Sequence, residues 1–161
     1  MMDPAETPPS PPTRAFVHEG SRVRFQDVDH AGIVFFAKIF EYCHVAYEEF
    51  VEQALGLTPK EFFEARRLGA PLVATRSDHR HPLFHGDRMR IECRVGRLGR
   101  SSMAMNYQIF NQDNMLCALV EMKHAFVTTA EGRFESVAIP EGIRASLMGY
   151  LAPEEEAAPG R

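Results

Sequence analysis

The sequence predicts an α+β domain in which an antiparallel sheet wraps around one long central helix. Three observations carry that expectation. Apolar residues between Phe36 and Ala54 recur at spacings of three and four, as on a helix with one buried stripe. Beyond residue 70 the period becomes two, as in half-buried strands. The links between those strands are short, which favours antiparallel pairing.

The elements follow in order. Residues 14–25 read as a first strand, and QDVDHAG at 26–32 as a turn. The helix comes next, with Phe36, Ile39, Phe40, Cys43, Ala46, Tyr47, Phe50, Val51 and Ala54 forming its apolar stripe. Lys38, Glu41, His44, Glu48, Glu49 and Glu52 occupy much of the remaining surface. Gly56 supplies the stop, since glycine tolerates the left-handed conformation that ends helices. A second, shorter helix is expected from Pro59 to about Arg67, capped by Thr58. Residues 71–81 read as a strand that Pro82 ends, and His85-Gly86-Asp87 turns into the next. There Met89, Ile91, Cys93 and Val95 alternate with Arg88, Arg90, Glu92 and Arg94. Met103, Met105, Tyr107 and Ile109 mark another strand, NQDN at 111–114 a turn, and 115–128 a further strand. Pro140 opens a short final helix. The apolar stripe of the long helix is too wide for solvent, so the sheet should curl around it. Its other face and its edges would stay open, and a second copy is the natural cover.

Composition bounds the rest. The 161 residues suit one domain, and 45% hydrophobic content fills an ordinary core. A single domain is expected over 14–151, between disordered tails at 1–13, rich in proline, and 152–161, which has little to bury. A net charge of −4 argues against bulk binding to nucleic acid or to an anionic membrane. No apolar run reaches bilayer-spanning length, and the acidic amino terminus is unlike a secretion signal. Cys43, Cys93 and Cys117 are an odd set without metal-type spacing, read as reduced core thiols of a cytoplasmic protein.

The chemistry concentrates between Arg22 and Phe50. A loop with two carboxylates and a glycine leads directly into a helix start. The first N–H groups of a helix lack internal acceptors and carry the positive end of its dipole. A developing oxyanion placed there is stabilised, as acyl transfer requires. Asp29 lies just upstream, placed to attack an acyl carbon or to activate a water. On residue type alone, an aspartate that merely caps the turn is the commoner case, since Asp often precedes a helix.

The stretch VRFQDVDHAGIVFF resembles the signature of the 4-hydroxybenzoyl-CoA thioesterase family, of the type with aspartate in a D-x-D-x-x-G loop. The following CHVAYEEF is similar to the C-H-E-A-Y-E segment of that family's 1,4-dihydroxy-2-naphthoyl-CoA thioesterases. The likeness runs, more loosely, from about Arg14 to Val127. It implies a hotdog fold and hydrolysis of an acyl-CoA, in particular an aryl-CoA, to free acid and coenzyme A, without a cofactor. It further implies Asp29 as nucleophile or general base, the Phe36 backbone N–H as the carbonyl-polarising donor, and Gly32 as the bend that aims it. Asp27 matches a structural or loop-orienting position. Related hydrolases carry histidine where Phe36 stands, so no imidazole is implied there. The family grips the coenzyme A nucleotide with the turn that here reads GRLGRSSM at 96–103, which brings in Arg97, Arg100 and Ser101. Unaided, that segment reads equally as a solvated hairpin turn.

Other constellations are weaker. His44 and Glu48 lie one helical turn apart, either as an exposed pair or as assistants in a site between subunits. His79, His81 and His85 share a face only if the chain stays extended past Pro82, so no metal site is assigned. Cys43 beside His44 is not a nucleophile–base pair, because successive helix residues diverge. Two rivals remain. An enoyl-CoA hydratase of this fold would need an Asp-x4-His pair, absent from the loop-to-helix region. A non-catalytic acyl-CoA or acyl-carrier-protein binding module would not need the intact loop.

Overall fold

The computed structural model describes residues 14–153. The expected tail at 1–13, and residues 154–161 of the tail expected at 152–161, lie outside the described residues. The strands are β1 (Phe16–Arg22), β2 (Leu68–Gly69), β3 (Leu72–His79), β4 (Arg88–Leu98), β5 (Ser102–Phe110), β6 (Leu116–Ala125), β7 (Val127–Thr128) and β8 (Glu135–Ser136). The helices are α1 (Phe36–Leu55) and α2 (Glu141–Met148).

Five strands form one antiparallel sheet in the order β1-β4-β5-β6-β3. α1 lies against its inner face. The alternation read in β4 and β5 has its cause here: Met89, Ile91, Cys93, Val95, Met103, Met105, Tyr107 and Ile109 all face inward and are buried. From α1 they meet Ile39, Tyr42, Cys43, Ala46, Tyr47, Phe50 and Val51. Phe50 is wholly buried, edge-on to Phe16 and Tyr150 at ring distances of 5.9 and 5.1 Å. Burying a ring of that size contributes about 1.5–3 kcal/mol. Gly56 ends α1 at φ 63°, as expected of a left-handed stop.

Several boundaries differ from the sequence reading. The first strand is Phe16–Arg22, with a bulge at Glu19–Ser21 around Gly20 (φ 106°), and it stops opposite Arg88, where its partner β4 begins. The chain then tightens into a 3-10 turn at Phe25–Asp27. Thr58 does cap the second helical segment: its hydroxyl accepts from Glu61 N–H, while Glu61 Oε2 accepts from Thr58 N–H at 2.9 Å. That segment widens into a π-type turn at Glu61–Ala65. The strand expected at 115–128 divides into β6 and β7, and β7 joins β2 and β8 in a small second sheet. Consecutive pairing fails once: β3 pairs with β6, not β4. The eight-residue link 80–87 is too long for a tight hairpin, and it spends its hydrogen bonds on Cys117 and on the loop before α1. Leu151 and Ala152 continue the β1 side of the sheet, since Val95 bonds Tyr150 O and Ala152 N–H.

At the β1 edge, His18 fastens strand to helix. Its Nδ1 lies 2.6 Å from Glu49 Oε2 on α1 and its Nε2 lies 2.7 Å from Ser21 Oγ.

Candidate active site

The loop preceding α1 is a miniature hairpin. Val28 and Val34 bridge antiparallel, Asp29 N–H donates to Ile33 O at 2.9 Å, and Gly32 N–H donates back to Asp29 O at 2.9 Å. Gly32 sits at φ 79°, a conformation that disfavours any side chain, so this glycine sets the turn. Val34 N–H donates to Leu83 O, which ties the loop to the 80–87 link.

Asp29 is exposed at the tip. One carboxylate oxygen, Oδ1, accepts the Ala31 N–H at 2.8 Å. The other meets no donor among the described residues. The capping and chemical readings of Asp29 are therefore compatible, because the cap orients the group and leaves one oxygen available.

The helix start is similarly open. Phe35 N–H is taken by Asp27 O at 2.8 Å and Lys38 N–H by Phe35 O at 2.9 Å. The Phe36 and Ala37 N–H groups meet no acceptor among the described residues, as a first helical turn dictates. Phe36 was expected within the buried stripe. Its ring is instead 60% exposed and lies 4.7 Å from that of Phe35. The buried stripe begins one turn later, at Ile39.

Asp27, in contrast, is buried. Its Oδ2 accepts the Tyr42 hydroxyl at 2.7 Å and the Arg24 N–H at 3.0 Å, and Lys38 Nζ stands 4.0 Å from Oδ1. Burial, and then the bond to Asp27, push the Tyr42 phenol well above its usual range, so it stays a donor.

His44 and Glu48 pair at 3.2 Å on the exposed flank of α1, with side chains more than half exposed. His44 also lies 6.0 Å from the Tyr47 ring, which stacks on buried His124 at 4.7 Å. Tyr47 is thus core, as its place on the apolar stripe predicts, and Phe40 is half-buried. The three upstream histidines do not converge: His79 bonds Ser77, His81 bonds Leu116 O, and His85 packs edge-on to Phe25. Among the described residues no group of three or more His, Cys, Asp or Glu is placed to hold a metal ion. Cys43, Cys93 and Cys117 are free and buried, and burial raises their thiols.

The basic hairpin joins β4 to β5. Its backbone is tied both within the hairpin and to neighbouring segments: Gly99 N–H donates to Ser102 O, Phe126 N–H to Ser101 O, and Ile139 N–H to Arg100 O. Arg97 and Arg100 are exposed and form no ion pair among the described residues, while Ser101 is half-buried. A groove of about 740 Å³ opens on the Arg97 side of the hairpin, lined by Arg97, Lys123, Glu121 and Ala104 among others, while Arg100 and Ser101 lie outside its lining. The register explains it, since Arg97 pairs with Ala104 and Ala104 with Lys123 across three strands. Lys123 was missed in the sequence, where alternation gave its face but not its neighbours.

Within one protomer the hairpin and the Asp29 loop stand at opposite ends of β4. Its eleven residues are separated by ten steps of roughly 3.3 Å, which puts about 33 Å between those ends. The structure therefore brings Asp29, Gly32 and Phe36 together, and holds Arg97, Arg100 and Ser101 apart from them.

A family model described as the thioesterase-like superfamily matches residues 23–147, a span that takes in loop, helix and hairpin. The chain belongs to that superfamily. Among curated relatives of this superfamily member, a 1,4-dihydroxy-2-naphthoyl-CoA hydrolase of Thermosynechococcus vestitus is 32% identical over 133 residues, covering 83% of this chain and 88% of the relative. One of Crocosphaera subtropica is 36% identical over 107 residues, covering 65% and 77%. A solved 1,4-dihydroxy-2-naphthoyl-CoA thioesterase from Synechocystis superposes with a TM-score of 0.74 at 22% identity, covering 84% of this chain and 96% of that one. The Dynemicin thioesterase gives 0.77 at 20% identity, covering 87% and 99%. The fold is the hotdog fold expected from the sequence.

Proposed function

We propose that this chain hydrolyses acyl-CoA thioesters, preferring aryl-CoA substrates such as 1,4-dihydroxy-2-naphthoyl-CoA or 4-hydroxybenzoyl-CoA, to free acid and coenzyme A. One observation carries the reading. The loop of a thioesterase-like chain presents a carboxylate oxygen, and next to the loop a helix start presents N–H groups, that meet no partner among the described residues. Relatives named for dihydroxynaphthoyl-CoA hydrolysis support the aryl class.

In this reading the thioester carbonyl oxygen accepts the Phe36 N–H, and the charge that develops on it is stabilised by the helix terminus. Asp29 either attacks the carbonyl carbon or takes a proton from an attacking water. Direct attack expels the coenzyme A thiolate, which takes a proton, and water then opens the acyl anhydride and restores the carboxylate. Gly32 fixes the turn that aims the pair. Arg97, Arg100 and Ser101 hold the nucleotide phosphates, with Lys123 across the groove. The chain acts as a single domain over 14–151, within the 4-hydroxybenzoyl-CoA thioesterase family and in the cytoplasm.

The separation of hairpin from loop favours a shared site. β3 is an edge strand exposed at every residue from Leu72 to Arg76. Two copies joined at this edge by a two-fold axis pair antiparallel. That sets the Leu72 end of one β3, which neighbours the hairpin, against the His79 end of the other, which neighbours the loop. The partner's hairpin thereby approaches the Asp29 loop, and the exposed His44–Glu48 flank of α1 falls near the joint, where it assists. The assembly is at least a dimer, and a homotetramer is the expected form.

A free-thiol assay across dihydroxynaphthoyl-, hydroxybenzoyl-, butyryl- and hexanoyl-CoA tests the reading. Release of thiol separates hydrolysis from hydration or plain binding. The expected result is a higher kcat/KM for the aryl substrates. Faster turnover of butyryl- or hexanoyl-CoA than of every aryl substrate would leave a general acyl-CoA thioesterase, and no thiol release would leave a binding module.

A further inference from the structure

We propose that Tyr42 is a positioning residue for the hydrolysis, locking the Asp29 loop to the helix start through Asp27. The inference rests on the reading of Asp29 and Phe36 above. It starts from a mechanical difficulty. Asp29 and the Phe36 N–H must act on the same carbon and oxygen, yet both lie on exposed backbone joined by a turn. Misplacing a reacting group by about 1 Å costs up to roughly a hundredfold in rate. Something buried has to hold them.

Asp27 is the joint. Its carbonyl accepts the Phe35 N–H at 2.8 Å and so fixes the residue that immediately precedes the Phe36 donor. Two residues further on is Asp29. The Asp27 carboxylate is 7% exposed and is held from two directions, by Arg24 N–H at 3.0 Å from the preceding turn and by Tyr42 Oη at 2.7 Å from α1. Tyr42 stands on the second turn of the helix that begins at Phe36. The strut therefore connects the helix carrying the oxyanion donor to the loop carrying the carboxylate. Lys38 at 4.0 Å is too long for a hydrogen bond, which leaves Tyr42 as the side-chain donor. Among the described residues the phenol has no other hydrogen-bond partner, and its ring packs in the core.

Tyr42→Phe removes the hydroxyl and keeps the ring. The expected result is a fall in kcat of about tenfold or more with KM within about twofold, because an interaction felt at the transition state is lost while ground-state binding is not. Tm should fall modestly, because the buried Asp27 carboxylate loses a donor. The decisive readout is the double variant. In an Asp29→Asn background the strut has no carboxylate left to position, so Tyr42→Phe should reduce kcat no further. Losses that multiply would mean that Tyr42 acts on folding or binding instead, and would overturn the proposal. So would unchanged kcat in Tyr42→Phe when Asp29→Asn is crippled. Full activity in a folded Asp29→Asn protein would bring down the Asp29 reading itself and this inference with it, a result distinct from the other two. If Tyr42→Phe does not fold, Asp27→Asn reads the same joint, and the same non-additivity with Asp29→Asn is required.

Discussion

Asp29 and Asp27 stand two residues apart and do opposite things, and burial separates them. Asp27 spends its carboxylate on Tyr42 and Arg24, whereas Asp29 spends only Oδ1, on Ala31. Asp29→Asn keeps the size and an acceptor for Ala31 and removes the charge. Turnover should fall at least roughly a hundredfold, the scale of lost acid–base or covalent chemistry, with thermal unfolding little changed. A well-folded Asp29→Asn enzyme of full activity would end the assignment. At this scale the sequence was informative about polarity and poor about burial. The loop, its glycine and the helix start could be read from residue types, because each answers a local backbone need. Tyr42 could not be ranked so. It falls three residues after Ile39 and four before Ala46, so helical spacing alone would have put it on the buried stripe. Its hydroxyl partner lies fifteen positions away and emerges only from the tertiary fold. Phe36 errs the other way, since an apolar residue at helical spacing is exposed where the helix end is uncovered.

Among the elements, the strands whose inner face is buried were legible, because period two survives wherever one face is wet. β3 was found as a strand ended by Pro82, but its partner was not, since pairing depends on where the 80–87 link is spent. The β4–β5 hairpin makes its own prediction. If Arg97 and Arg100 hold phosphates, alanine at both should raise KM and leave kcat nearly unchanged, the sign of lost uniform binding. Lys123→Ala should act alike, and the effects should shrink at high salt, which screens exposed charges. An unchanged KM would return the hairpin to a solvated turn. The packing of α1 against β6 predicts a pH dependence. His124 stacks on Tyr47, and its Nδ1–H donates to Ala70 O, while its Nε2 is buried with no partner among the described residues. Burial lowers its pKa below the ordinary value of 6.5, with the Ala70 bond opposing and His44 adding to the shift. The unfolded chain therefore binds the proton more readily than the folded one. Stability should be full above about pH 6.5 and should fall as the pH drops below it. His124→Asn keeps a donor for Ala70 and cannot titrate, so its Tm should change less between pH 7.5 and 5.5 than that of the wild type. Equal slopes would place the acid sensitivity elsewhere.

For the whole molecule, the α+β architecture was legible because one helical stripe and several alternating strands leave few ways to close a core, while the assembly was legible only as a need. An open sheet edge and an uncovered helix flank require cover, but which ends meet depends on strand order, and that order appears only in the fold. With β3 at the edge, a two-fold pairing crosses the ends, so each site would take its loop from one protomer and its hairpin from the other. Light scattering at micromolar protein should therefore find at least a dimer, and an active monomer would remove the shared site. Complementation is the sharper measurement. Asp29→Asn damages the loop and Arg97→Ala/Arg100→Ala damages the hairpin, so either protein alone has only defective sites at substrate well below KM. In a mixed dimer with crossed ends, one site collects both lesions and the other collects neither. Co-refolding equal amounts makes about half of the dimers mixed, each with one intact site of two, so activity should recover to about a quarter of the wild type. If each protomer instead completes its own site, every site in the mixture carries a lesion. Activity would then stay at the mean of the two parents, and the crossed arrangement would be wrong.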